Sequence, residues 1–157
     1  MIFFTVGTQL PFNRLLKLVD IAAGLLPEEQ FFAQIADSDY LPKNMQWKRT
    51  IDEKEYHSIL SRSKLIIGHA GMGTILNALD YSIPLIMSPR EYSLGEHRND
   101  HQLATAKRFG DIQNIAVFKK DEDLRSLIIR VLDKKTITIY KNFKLDQFCY
   151  NLNKVIQ

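Results

Sequence analysis

Leu65-Ile66-Ile67-Gly68-His69-Ala70-Gly71-Met72-Gly73-Thr74-Ile75-Leu76-Asn77-Ala78-Leu79-Asp80-Tyr81 is the stretch that decides the fold. Leu65–Ile67 is a short run of branched apolar residues, which predicts a strand buried on both faces, as in a parallel sheet. The glycine-rich segment Gly68–Gly73 predicts a turn, and Thr74–Tyr81 predicts the helix that follows. Pro84-Leu85-Ile86-Met87 then begins another strand, which Pro89 closes.

The same rhythm extends in both directions. Upstream, Ile2–Val6 reads as a first strand ended by Gly7-Thr8, and Pro11 suits the first turn of a helix. Phe12, Leu15, Leu16 and Val19 recur at helical spacing, with an end near Gly24. Phe31–Ile35 is a second strand, and Met45–Lys48 is the one further strand the weak pattern of 37–50 offers. Asp52 can cap a helix, with Glu55 in the capping-box position and Tyr56, Ile59 and Leu60 on the buried stripe. Downstream, a loop runs to Gly95 and a helix is predicted from about His97 to Phe109, with Leu103, Ala106 and Phe109 inward. Ile115–Phe118 is the last strand, Asp121 or Asp123 caps Leu124–Leu132, and Phe143–Ile156 is a final helix. Strand and helix in alternation mean an α/β fold with a doubly wound, mostly parallel, Rossmann-like sheet. The expected organisation is one domain over residues 1–133 and a helical tail over 134–157, packed on the domain or on a partner.

The chain has 157 residues and 45% hydrophobic content, enough to bury a core. Met1-Ile2-Phe3-Phe4 lacks the charged and apolar regions of a secretory signal, and the apolar runs are too short to cross a bilayer as a helix. Cys149 stands alone, so no intrachain disulfide is expected, and a cytoplasmic setting is the simplest. Of the net charge of +3, the basic excess falls in the tail: residues 119–157 carry 9 Lys/Arg against 5 Asp/Glu. An anionic membrane surface, an acidic partner or a plain solvated helix face all suit that bias. Nucleic acid does not, because no aromatic-interleaved basic stripe accompanies it.

In such a sheet ligands gather at the carboxyl ends of strands, where helices present unpaired N–H groups. Two turns fit, Gly7-Thr8-Gln9 and His69–Thr74. Gly71 and Gly73 lack the Cβ atoms that would keep a phosphate from the backbone, Thr74 offers a hydroxyl, and His69 an imidazole N–H. An ordinary glycine turn beside a satisfied histidine fits the same residues. The chain has neither a P-loop nor GxGxxG after its first strand, so a nicotinamide enzyme lacks support. A third cluster, Gly95-Glu96-His97-Arg98-Asn99-Asp100-His101-Gln102, offers groups that read sugar hydroxyls. His97 and His101 have a spacing that metal pairs use, yet the order is not HExxH and no third ligand is near, so no metal is expected.

His69-Ala70-Gly71-Met72-Gly73-Thr74, then Pro84, Pro89-Arg90 and Glu96-His97-x-Asn99-x-x-Gln102, resemble the donor-binding C-terminal domain of the family 28 glycosyltransferases, the MurG type. Thr5-Val6-Gly7-Thr8-Gln9, with Pro11-Phe12-x-Arg14-Leu15, narrows the likeness to the one-domain subunits of split transferases in bacterial capsule and exopolysaccharide synthesis. The likeness covers about Met1 to Val117. It implies the GT-B C-terminal half, a UDP-sugar as donor substrate and no permanently bound cofactor. It implies that His69, Gly71, Gly73 and Thr74 meet the diphosphate, with Gly7 and Thr8 opposite. Glu96 and His97 would sit at the transferred sugar, as the catalytic pair, with Asn99 and Gln102 at or behind that rim. Related sites carry a ribose-binding glutamate where this chain has Asn77, which loses a charge-assisted bond.

The resemblance implies inverting transfer to a lipid-linked saccharide by a two-chain enzyme. The acceptor half would be a membrane-anchored partner that holds this chain at the inner face of the cell membrane, and the catalytic base would come from that partner. A homo-oligomer suits the isolated chain. Two other classes stand beside this one: a non-catalytic helper that keeps the fold, and an independent nucleotide-binding enzyme.

Overall fold

The computed structural model describes residues 1–133. Six strands form one sheet: β1 (Ile2–Thr5), β2 (Phe31–Gln34), β3 (Gln46–Lys48), β4 (Leu65–His69), β5 (Leu85–Ser88) and β6 (Ile115–Val117). Their order is β3-β2-β1-β4-β5-β6 and every pairing is parallel, in keeping with the doubly wound, mostly parallel sheet expected from the sequence. Five helices cross between or follow them: α1 (Asn13–Gly24), α2 (Glu53–Ser61), α3 (Met72–Asp80), α4 (His101–Phe109) and α5 (Leu124–Asp133). No helix among the described residues is long and apolar enough to cross a membrane.

The two-residue period of the strands divides the core. Ile2, Phe4, Leu65, Ile67 and Ile86 face a layer closed by Leu15, Leu16 and Val19 of α1 and Leu127 and Ile128 of α5. Phe3, Ile66, Leu85 and Met87 face the other layer, closed by Ile59 and Leu60 of α2, Ile75, Ala78 and Leu79 of α3, and Ala106 and Phe109 of α4. Both faces of the central strands are thus dry, which is why these strands read as unbroken apolar runs.

Several local expectations change. β4 continues through Gly68 and His69 and α3 opens at Met72, so the turn shrinks to Ala70-Gly71 and Gly73 is helical. α1 begins at Asn13, two residues beyond Pro11. Asp52 caps α2 by accepting from the Glu55 N–H at 2.8 Å, but the Glu55 carboxylate binds Lys48 Nζ at 2.6 Å, so only half of the capping box forms. α4 starts at His101, four residues late, because Asp100 gives its carboxylate to the Tyr92 N–H instead of to its own helix. Within α4, Gln102 faces inward at 4% exposure and Leu103, expected inward, is 41% exposed. Asp123 caps α5 through the Ser126 N–H at 2.8 Å. The predicted helix over Phe143–Ile156, Cys149 and the tail lie outside the described residues.

One buried carboxylate holds the long connection between β2 and β3. Asp20 on α1 is 1% exposed and accepts from the backbone N–H of Lys43 (3.0 Å) and Asn44 (2.8 Å) and from the Tyr40 hydroxyl (2.6 Å). Each satisfied donor offsets the cost of removing the charge from water.

Candidate functional site

The chain builds β2 and β3 on one side of β1, then returns to lay β4, β5 and β6 on the other. The loops after β1 and β4 therefore diverge, and the crevice between them lies at the carboxyl edge of the sheet, where such folds hold ligands. A cavity of about 460 Å3 fills it, lined by Thr5, Gly7, Thr8, Gln34, Ile51, Glu53, Tyr56, His69, Gly71, Met72, Gly73, Thr74 and Asn77. Seven of the residues singled out in the sequence thus meet in one place.

His69 stands at the centre of the crevice, between two glycines. A Cβ on Gly7 would lie 2.8 Å from His69 Cε1, and one on Gly71 would overlap the imidazole. Gly71 therefore makes room for the chain's own histidine, which differs from the phosphate clearance the sequence suggests. Gly7 also needs its missing side chain for a backbone φ of 83°. Gly73 has no atom within 4 Å of an added Cβ, so the first turn of α3 is open there. Gly71 gives α3 no side-chain cap, and the N–H groups of its first turn face the crevice without one.

The imidazole is neutral. Burial, then the positive charge of Arg90, pull its pKa down to about 4, only partly opposed by the Thr5 backbone. Nδ1 is buried with no hydrogen-bond partner. A neutral imidazole has one N–H and one lone pair, and with Nδ1 buried only the other ring nitrogen is open to an oxygen-rich ligand beside the uncapped helix N-terminus.

Beyond His69 the crevice runs on. A hollow of about 120 Å3 shares Gly7, Thr8 and His69 with the first cavity and adds Gln9, Leu10, Arg90, His97 and Gln102. An outer hollow of about 790 Å3 shares Gln9, Leu10 and His97 and adds Pro11, Gly95, Glu96, Arg98 and His101. The cluster around residues 95–102 is only partly assembled. His97 borders both hollows, with Nδ1 buried and unpartnered. Its pKa is held down by burial and by His101, whose ring centroid is 4.5 Å away. Gln102 points into the interior and accepts from the Arg90 N–H at 3.1 Å. Asn99 borders neither hollow, is exposed, and bonds His101. Among the described residues no group of three His, Cys, Asp or Glu is placed to hold a metal ion.

Glu96 is committed to protein. Arg14 grips it with Nε to Oε1 at 2.7 Å and Nη2 to Oε2 at 3.0 Å, and the Glu91 N–H donates to Oε2 at 3.1 Å. The geometry gives the carboxylate the work of fastening the loop after β5 to α1.

Arg90 carries more weight than its place in the sequence suggests. It is 2% exposed, and its guanidinium donates to the carbonyls of Val6 (2.8 Å), Leu10 (2.6 Å), Glu96 (3.3 Å) and Pro11, with the Phe12 ring 4.7 Å away. Burial lowers its pKa to about 10, which leaves it cationic at neutral pH. A charged residue in a Pro-flanked loop carries no pattern signal for burial, so only the three-dimensional arrangement reveals this one. Asn77 makes a long contact from Nδ2 to the Tyr56 hydroxyl, 3.4 Å, across the far wall.

Residues 1–144 match the family model described as "Glycosyltransferase family 28 C-terminal domain". No curated protein matches the chain. The glycotransferase of kitacinnamycin superposes with a TM-score of 0.63 at 15% identity, over 87% of this chain and 35% of that one. CalG4, the calicheamicin glycosyltransferase, gives a TM-score of 0.63 at 15% identity over 87% and 35% of the two chains. MurG from Acinetobacter baumannii gives 0.56 at 19% identity over 83% and 41%. At these identities the superpositions establish a shared fold, and the chain spans well under half the length of each of these structures.

Proposed function

The chain belongs to the glycosyltransferase family 28 C-terminal domain family, and on that premise we propose that it binds the UDP-sugar donor as one subunit of a two-chain inverting glycosyltransferase. The observation that carries the reading is the crevice around His69. The neutral imidazole, the open first turn of α3 and the Thr74 hydroxyl converge on one space large enough for a nucleotide. The diphosphate lies against that turn, where N–H groups and the helix dipole stabilise the charge that develops as UDP departs. The nucleoside extends toward Asn77 and Tyr56, and the sugar extends past His97 into the outer hollow. The acceptor hydroxyl attacks the anomeric carbon as its bond to UDP breaks, and a base receives the hydroxyl proton. His69 is not that base, because it is turned to the phosphates; the base comes from the facing domain. Glu96 acts by fixing the loop that carries His97.

The acceptor in this reading is a lipid-linked saccharide of capsule or exopolysaccharide synthesis. The facing domain is a membrane-anchored partner that brings this chain to the inner face of the membrane. The motifs shared with one-domain subunits support both points. Calorimetric titration with UDP tests the donor site. The natural protein binds UDP, and His69→Ala and Thr74→Val each weaken that binding at least about fivefold, the loss of one hydrogen bond to a charged group. A folded protein that ignores UDP at millimolar concentration refutes the site.

One observation favours the helper reading. Among the described residues the only carboxylate bordering the outer hollow, Glu96, is held on both oxygens by protein donors. Turnover by the co-purified complex separates the two: a helper leaves turnover unchanged when His69 is replaced, whereas a donor-binding subunit abolishes it.

A further inference from the structure

The main cavity also contains a polar side chain that no sequence motif singles out. Gln34 ends β2, is 3% exposed, and stands beside Thr5 in the register of β1 and β2. Thr5 is 1% exposed. The Gly7 N–H donates to Thr5 Oγ1 at 3.0 Å, and the Thr5 hydroxyl donates to Gln34 Oε1 at 3.0 Å.

The direction of this relay fixes the amide. The Thr5 oxygen accepts from Gly7, and its buried hydroxyl proton requires an acceptor of its own, because leaving it unmet costs more than the bond gains. The carboxamide carbonyl supplies that acceptor, which turns the NH2 group away from Thr5. Nε2 has no partner among the described residues and is not among the buried unpartnered atoms. Since Gln34 lines the 460 Å3 cavity, its free donor is reached from there. A glutamine with a purely structural task at this depth would have both ends of its amide matched within the protein.

We propose that Gln34 is a ligand-contact residue of the crevice, a pre-oriented amide that donates to a phosphate or ribose oxygen of the bound nucleotide. Thr5 and Gly7 are the positioning residues that set its orientation. The inference rests on the donor reading above. Because the amide is already fixed by Thr5, it binds an oxygen acceptor without first losing rotamer freedom.

The test uses UDP as the probe and the full chain. Gln34→Glu keeps the shape and an acceptor for Thr5 but replaces the donor with a negative oxygen, so UDP affinity falls at least about tenfold. Gln34→Met removes the donor without the charge and falls several-fold. A measurement on the natural protein needs no variant to fold. In nitrogen-resolved magnetic resonance the Gln34 side-chain NH2 signals, assigned by their loss in Gln34→Met or by through-bond connectivity, shift on saturation with UDP. In Thr5→Val that shift shrinks, because the amide is free to turn. UDP binding that leaves the Gln34 signals in place, or a Gln34→Glu affinity within twofold of the natural protein, overturns this inference alone. Failure of the natural protein to bind UDP removes the donor reading and this inference with it.

Discussion

Replacing Arg90 by methionine tests how the crevice is held open. The substitution keeps much of the side chain's volume against Phe12 and removes the guanidinium from four carbonyls. Two effects oppose one another. Removing a buried cation relieves its desolvation, which by itself makes such replacements neutral or favourable. The carbonyls, however, lose their donors, and each unmet buried acceptor costs about 1–3 kcal/mol. The bond to the Val6 carbonyl is fully buried, whereas those to Leu10, Pro11 and Glu96 are only partly so and water can reach them. One full penalty and three partial ones exceed the relief, giving a net loss of about 2–4 kcal/mol. At roughly 2–4 °C per kcal/mol for a domain of this size, Tm falls by about 5–15 °C. Urea and thermal unfolding measure the loss. UDP affinity, measured well below the new Tm, falls as well, because the Gly7–Leu10 loop no longer has a fixed shape. Arg90→Lys recovers little, since a point charge cannot serve acceptors spread across the planar fork. A loss below 1 kcal/mol with intact UDP binding would refute the reasoning, since it would mean the loops hold themselves.

Three further outcomes follow from the same geometry. His69 has a folded pKa of about 4 against an ordinary 6.5, so the unfolded chain takes up its proton first and stability falls as pH drops from 6.5 toward 4; the loss is roughly 3 kcal/mol, and His69→Gln flattens it in urea unfolding at several pH values. Gly71→Ala displaces the imidazole and lowers both Tm and UDP affinity, whereas Gly73→Ala, with open space around it, raises stability by about 0.5–1 kcal/mol through helix propensity; a Gly73→Ala protein that unfolds more readily would contradict this. Arg14→Met and Glu96→Gln share one partly buried bidentate pair, so a double-mutant cycle on unfolding gives a coupling of about 1–2 kcal/mol, and additive losses would show that the pair is idle.

The central strands were legible because both of their faces are buried, so Ile2–Thr5, Leu65–Ile67 and Leu85–Met87 announce themselves as unbroken apolar runs, whereas their order across the sheet appears only in the fold. The crevice residues of the β1 and β4 loops were legible because the fold places both loops at one sheet edge. The start of α4 was not. Asp100, which stands in the N-cap position, serves the Tyr92 N–H across the loop, an interaction between segments that periodicity does not see. The same blindness put Leu103 inward, where it is 41% exposed, and hid the burial of Gln102, which accepts from the Arg90 N–H. The burial of Arg90 and the place of Gln34 were not legible for a related reason: each is polar where pattern reading expects either surface or core, and each meets backbone or a neighbour far off in sequence. Glu96 was found as a residue of the rim, whereas its tie to Arg14, 82 residues away, appears only in the fold.

The way His69 is seated has a consequence for how this site can change over generations. Position 71 excludes every side chain because the imidazole occupies the space, and the imidazole is seated only because position 71 is empty. The two residues therefore form a single heritable unit. A lineage that first replaces Gly71 loses the histidine's seat, whereas one that first replaces His69 with a smaller residue opens position 71 to drift, after which the histidine cannot return unaided. Gly7 does not share that release, because its left-handed backbone holds it to glycine whatever becomes of the ring. Related chains that have abandoned the histidine should thus have abandoned Gly71 more readily than Gly7.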